Sequence, residues 1–169
     1  MQEKWYVIHT KPRQEDIACT NLENQGFEVY LPLLQGTKRL RGKWQEVVEP
    51  MFPRYLFIHL TMYVDNIAPV RSTRGVSNFV RFGELPTPLP DGFVEHLKEL
   101  EDPRLGFIRK DPPPFKKGDK ATIVDGPLAG LTGIVQARSG QERVILLLNM
   151  LGRPQKIVVP RDKLVLATA

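Results

Sequence analysis

Three histidines (His9, His59, His96) and one cysteine (Cys19) are the side chains of this 169-residue chain best suited to metal binding or nucleophilic chemistry. Their spacing suits neither. Metal sites draw their ligands from short, closely spaced motifs, and an activated nucleophile needs a base brought beside it. No G-x-G-x-x-G or G-x-x-x-x-G-K-[ST] phosphate loop occurs, and the 19 carboxylates form no recognisable acid and base pair. The expectation is a non-enzyme with no catalytic residue, no metal and no cofactor. Cys19, lacking a second cysteine, cannot close a disulfide; it reads as helix packing in a reducing compartment.

Binding chemistry is better represented. Thr73-Arg74-Gly75-Val76-Ser77-Asn78-Phe79-Val80-Arg81-Phe82-Gly83 puts guanidinium groups at the rim of a strand, where they can meet phosphates or base edges or stay solvated. Lys38-Arg39-Leu40-Arg41-Gly42-Lys43 reads as a basic hairpin tip in solvent. In Glu49-Pro50-Met51-Phe52-Pro53-Arg54-Tyr55-Leu56-Phe57-Ile58, strand alternation sends Tyr55 and Phe57 to one face and Leu56 and Ile58 to the other. Both faces are apolar, so one packs on the domain's own helices and the other needs a cover, either a partner or a further helix.

The elements that must hold these groups alternate strand and helix. Trp5 to His9 is a predicted strand. The next helix runs from Pro12 to Gln25, with Glu15 and Asp16 in its first turn and Gly26 as its stop. Strands follow at Phe27 to Leu33, Trp44 to Val48 and Tyr55 to Leu60, then a short helix between Met62 and Val70 and a strand at Val76 to Arg81. Pro90 to Glu101 is an amphipathic helix with Phe93, Val94, Leu97 and Leu100 on one stripe. The fold class is α+β, an antiparallel sheet flanked by helices.

Pro103 and Pro112-Pro113-Pro114 mark a stiff spacer. The organisation is therefore residues 1–100 as the N-terminal domain, 101–115 as linker and 116–169 as the C-terminal domain, which holds all of the +5 net charge. Short strands predicted at Lys120 to Val124, Thr132 to Ala137, Arg143 to Asn149, Lys156 to Val159 and Leu164 to Leu166 suit a small SH3-like β-barrel. No run is long and apolar enough for a membrane span. The N-terminus enters its first strand without room for a signal peptide, so a cytoplasmic location is expected.

Gly118 to Val135, two short strands around Asp125-Gly126-Pro127 with Gly130 and Gly133, resembles the KOW motif. With the motifs at 49–58 and 73–83, nearly the whole chain resembles the NusG family of transcription elongation factors. Within it, residues 49–57, 73–83 and Leu146-Leu147-Leu148-Asn149 look most like the specialised RfaH paralogue.

The resemblance implies an elongation and antitermination factor, operon-specific through non-template DNA, that binds RNA polymerase and couples transcription to translation. It implies that Tyr55 and Phe57, with Phe52, contact polymerase, and that Lys11, Gln14, Thr73 and Arg74 contact the non-template DNA strand. Leu151, with Met150, would engage a small-subunit ribosomal protein. The chain departs from RfaH at Ile17, Asn21 and Asn66-Ile67-Ala68. In RfaH the C-terminal domain also adopts a helical hairpin over the polymerase-binding face, held partly by a pair matching Glu49 and Arg143. Glycines and prolines argue against that state here, so the barrel is the expected form and the hairpin its alternative. A general NusG-type factor that also engages Rho, or a ribosome-associated RNA-binding KOW protein, are the other readings. A monomer is expected.

Overall fold

The computed structural model describes residues 2–109 and 130–152. Four strands form an antiparallel sheet in the order β2-β5-β1-β6: β1 (Lys4–Thr10), β2 (Glu28–Tyr30), β5 (Tyr55–Leu60) and β6 (Val76–Phe79). Period-two alternation sorts their side chains into two cores. Tyr6, Ile8, Leu56, Ile58 and Leu60 pack with Ala18 and Leu22 of α1 (Glu15–Asn24) and Val70 of α2 (Ala68–Arg71). Trp5, Val7, Tyr55 and Phe57 face the other way, toward α3 (Phe93–Leu100), whose Phe93, Val94, Leu97 and Leu100 are all buried on the predicted stripe.

α1 starts at Glu15, three residues later than Pro12. Lys11 gives its N–H to the Gly75 carbonyl at 2.8 Å, and Arg13 sits at φ 59, a left-handed conformation that a right-handed helix cannot include. Its end is as read from sequence. Gly26 adopts φ 94, and the N–H groups of Gly26 and Phe27 return to the carbonyls of Glu23 and Leu22, a Schellman stop.

The strand predicted from Phe27 to Leu33 divides at Pro32, which has no N–H for the ladder. The chain turns there into a separate hairpin, β3 (Leu33–Leu40) with β4 (Lys43–Pro50), closed by Arg41 at φ 52 and Gly42 at φ 79. Two successive positive φ values are what a two-residue type I′ turn requires.

Residues 101–109, within the segment read as a spacer, carry tertiary contacts. Ile108 is fully buried, donates its N–H to Leu33 at 2.9 Å and accepts from Gln35 at 2.8 Å, so residues 101–109 are fastened to the base of the hairpin. An isolated bridge between Glu101 and Ile108 closes the turn.

Where strands are predicted at Thr132 to Ala137 and Arg143 to Asn149, the structure has helices α4 (Leu131–Gln136) and α5 (Gly140–Gly152). The physical reason is the face α5 finds. Arg143, Leu146, Leu147, Met150 and Leu151 recur at helical spacing and are buried, so a helix covers more apolar surface here than an alternating strand would. The strands predicted at Lys120 to Val124, Lys156 to Val159 and Leu164 to Leu166, and most of the glycine-rich motif from Gly118, lie outside the described residues.

Candidate functional site

Phe52 and Phe57 are fully buried. Phe57 meets Phe93 edge-on at 5.8 Å between ring centroids and Phe52 at 5.6 Å, while Tyr30 lies 6.4 Å away. Tyr55 is different: it is only partly buried, and its ring leans on His9 at 5.0 Å. The expected aromatic face therefore divides into core rings and one more accessible ring. Burial raises the Tyr55 phenol above its usual range, and the Arg54 charge partly offsets that.

The same core includes Leu131, Ile134, Ala137, Leu146, Leu147, Met150 and Leu151, so α4 and α5 complete the cover that begins with α3. At one end of α5, a Cβ on Gly140 would fall 2.6 Å from Cγ of Pro53, which is why glycine stands there. At the other end, Gly152 lies against the Phe82 ring. Met150 and Leu151 are consumed by this contact, and in this arrangement no other protein reaches them. Thr132 is buried with its hydroxyl unpartnered among the described residues, a polar group left unpaired on burial.

Arg143 is buried at the centre of the contact. Its Nε donates to the Met51 carbonyl at 2.7 Å and its Nη1 to the Ala137 carbonyl at 3.0 Å. Glu49 pairs with Lys38, and among the described residues Glu49 and Arg143 do not come within ion-pair distance, although the Glu49 charge acts on Arg143. Burial lowers the Arg143 pKa, and the negative charges of Glu49 and Glu142 act in the opposite direction.

On the opposite side of β5, the expected DNA-contacting residues converge through backbone contacts. Lys11 follows the last residue of β1, Gln14 precedes α1, and Gly75, next to Arg74, packs over the first turn of that helix. Gly75 sits at φ 92, and a Cβ there would lie 2.8 Å from the Ala18 nitrogen. Lys11 and Arg74 are exposed. Thr73 is not: its hydroxyl donates to the Pro69 carbonyl at 2.8 Å and accepts from Gln25 Nε2 at 2.7 Å. It shapes the loop that carries Arg74 and offers no free hydroxyl to a ligand.

Two cations at this corner were missed in the sequence. Arg13 is exposed beside Lys11, and Arg54 gives its N–H to the Glu15 carboxylate at 3.1 Å and its Nε to the Thr10 carbonyl at 3.3 Å. Both have positive φ, which single sequences signal only for glycine and asparagine. At the RfaH-departing positions, Asn21 Nδ2 donates to the Ile17 carbonyl and Asn66 Oδ1 accepts from the Ala68 N–H.

The histidines stay apart. His59 stacks on Trp5 at 4.6 Å and reaches Glu28 at 2.8 Å, His9 sits by Tyr55, and His96 contacts the carbonyl of Gly92, which caps the start of α3.

Against known proteins, residues 3–98 match the family described as transcription termination factor nusG. The chain is 30% identical to the transcription termination/antitermination protein NusG of Thermus thermophilus over 189 aligned positions, covering 99% of this chain and 100% of that one. It is 31% identical to the protein of the same name from Bacillus subtilis, covering 90% of this chain and 92% of that one. Among solved structures, one described as domain interaction in Thermotoga maritima NusG is 26% identical with a TM-score of 0.42, over 56% of this chain and 54% of that one.

Proposed function

Because the chain belongs to the NusG family of transcription termination and antitermination factors, we propose that it acts on transcribing RNA polymerase as a binding factor, without chemistry of its own. The observation that carries this reading is the apolar face of Phe52, Tyr55 and Phe57, continuous with the buried leucines of α4 and α5. Where α4 and α5 move aside, the apolar surface they cover is of the kind that serves a protein partner. Tyr55 is the contact residue at its accessible edge, and Phe52 and Phe57 support it from beneath.

The near full-length relatives, named as transcription termination/antitermination proteins, favour the general form of the activity; in our reading such a factor acts on most genes and engages Rho. A second reading is favoured by one feature, the helices lying across the partner face. A factor confined to a subset of operons, recruited through the non-template strand by Lys11, Gln14 and Arg74, benefits from a face kept shut until recruitment. In that reading the C-terminal domain changes to the barrel on release and frees Met150 and Leu151 for a small-subunit ribosomal protein.

Two measurements test these readings. Purified polymerase elongation complexes should retain the full chain and lose it on Tyr55→Ala; retention unchanged by that substitution would remove Tyr55 as a contact. Mapping the protein along the genome then separates the two forms, with many peaks for the general factor and few for the specialised one.

A further inference from the structure

The β3–β4 hairpin projects away from both cores. Every residue from Thr37 to Glu46 is exposed, and the tip stands about 23 Å beyond the Leu33–Pro50 pair at about 3.3 Å per residue. This stretch carries Lys38, Arg39, Arg41 and Lys43 against the single carboxylate Glu46. Only Lys38 is neutralised, by Glu49; among the described residues Arg39, Arg41 and Lys43 have no carboxylate partner. Trp44 is 71% exposed, and among the described residues its ring stacks on nothing. The ladder pairs it with Arg39, so indole and guanidinium share one face of the ribbon.

An exposed indole is a costly surface group unless something covers it, and its setting here selects the cover. Three uncompensated cations on this hairpin end, Arg39 on the ring's own face, Arg41 in the turn and Lys43 on the other face, favour a polyanion, and a flat π-face among them favours one that offers unstacked bases. A duplex keeps its base faces stacked inside and gives an indole nothing to lie on. We propose that this hairpin is an arm for single-stranded nucleic acid, with Trp44 as the stacking platform and Arg39, Arg41 and Lys43 as phosphate contacts. The arm needs no polymerase for binding, and it lies on a different element from the Lys11 and Arg74 corner.

The test uses the full chain alone with single-stranded RNA and DNA oligomers of about 12 nucleotides, a length within the range such sites cover. Trp44 is one of two tryptophans, and the other, Trp5, is buried against His59, so emission from an exposed indole reports on the arm. Oligomer should quench that emission, and the quench should vanish in Trp44→Phe while affinity stays within a few-fold, since phenylalanine still stacks. Trp44→Ala should weaken binding by about 5- to 100-fold without moving the thermal midpoint. Arg39→Gln with Lys43→Gln should lower the slope of log affinity against log salt by about 1.4, from about 0.7 per phosphate contact. Lys11→Ala and Arg74→Ala should leave the quench intact. Tighter binding by RNA or by DNA identifies the strand and supports the arm either way. No binding, binding without Trp44 quenching, Trp44→Ala affinity equal to the parent, or stronger binding of a duplex of equal length overturns it.

Discussion

Arg143 reaches across 92 positions of sequence to give its Nε–H to the main-chain carbonyl of Met51 at 2.7 Å. With Ala137 as its second acceptor, the guanidinium ties the start of α5 to both the strand-5 approach and the end of α4. Hydrogen bonds from a charged donor contribute about 1.5 to 3 kcal/mol. Arg143→Ala should therefore shift the balance toward undocked α4 and α5 by more than about tenfold. Glu49→Gln should do much less, because Glu49 spends its charge on Lys38 at a partly exposed site, and such pairs contribute about 1 kcal/mol or less. Amide hydrogen exchange over residues 131–152 reads the difference; equal loss of protection in both variants would restore a direct Glu49 to Arg143 link.

Tyr55 and Phe57 are neighbours in register on one face of β5 but differ in what truncation removes. Phe57 is enclosed by Phe52, Phe93 and Tyr30, so Phe57→Ala leaves a cavity and should cost about 3 to 5 kcal/mol, enough to unfold a marginal domain. Tyr55→Ala should stay folded and affect partner binding alone. Thermal melts of the two single variants check this, and a melt of Tyr55→Ala as low as that of Phe57→Ala would make both rings structural.

Gly75 combines positive φ with a close approach to α1, where an added Cβ would stand 2.8 Å from the Ala18 nitrogen and 3.0 Å from the Gln14 carbonyl. Neither neighbour is a side-chain tip that can swing away. Gly75→Ala should cost at least about 1 to 3 kcal/mol from the backbone conformation alone, a drop of about 4 °C or more in Tm for a domain of this size. Gly36→Ala, with no atom within 4 Å of the new Cβ, is the control that should melt near the parent.

Much of the N-terminal architecture is legible because its local signals are unambiguous. Tyr55 to Leu60 is a short apolar run bounded by Pro50 and Pro53 before it, Phe93, Val94, Leu97 and Leu100 repeat at helical spacing, and Gly26 stops α1 as a glycine stop should. Residues 131–152 are not legible in the same way, because both periods fit. Val144, Ile145, Leu146, Leu147 and Leu148 are apolar in an unbroken run, so a strand and a helix each find a face.

The deciding signal was short and local. Ser139 accepts the Glu142 N–H at 3.1 Å, and the Glu142 carboxylate turns back to the Arg138 N–H at 3.2 Å, a variant of the capping box that begins a helix. Ser139-Gly140-Gln141-Glu142 carries that signature in the sequence, a helix start that the strand reading of residues 143–149 leaves out. The site residues show the same limit. Arg74 could be placed at a strand's rim from the residues themselves and Lys11 only through the family resemblance, whereas the burial of Thr73 depends on Pro69 and Gln25, contacts that no local pattern encodes.

Cys19 gives a chemical check on how well α1 is packed. Burial, with the Sγ–H donated to Glu23 at 3.0 Å, pushes the thiol up to about 12. Only the thiolate reacts with an alkylating reagent. At pH 8 iodoacetamide should label Cys19 slower than a free cysteine by about two orders of magnitude or more, and Glu23→Ala should speed the labelling. Labelling at the rate of a free thiol would mean that α1 opens in solution.

His9 supplies the acid-side test. Burial, and secondarily the positive charge of Arg54, hold its pKa in the folded chain below the ordinary 6.5. The unfolded chain therefore takes up a proton first as the solution is acidified. Stability from the neutral imidazole is fully present above pH 6.5, begins to fall there, and is lost as the pH drops through the lower folded value. His9→Gln removes the titrating group but keeps a polar side chain beside Tyr55. Melts of both proteins between about pH 8 and pH 5 should show the parent losing more stability than His9→Gln. Parallel pH profiles for the two proteins would mean that the imidazole is as free to protonate in the folded chain as in the unfolded one.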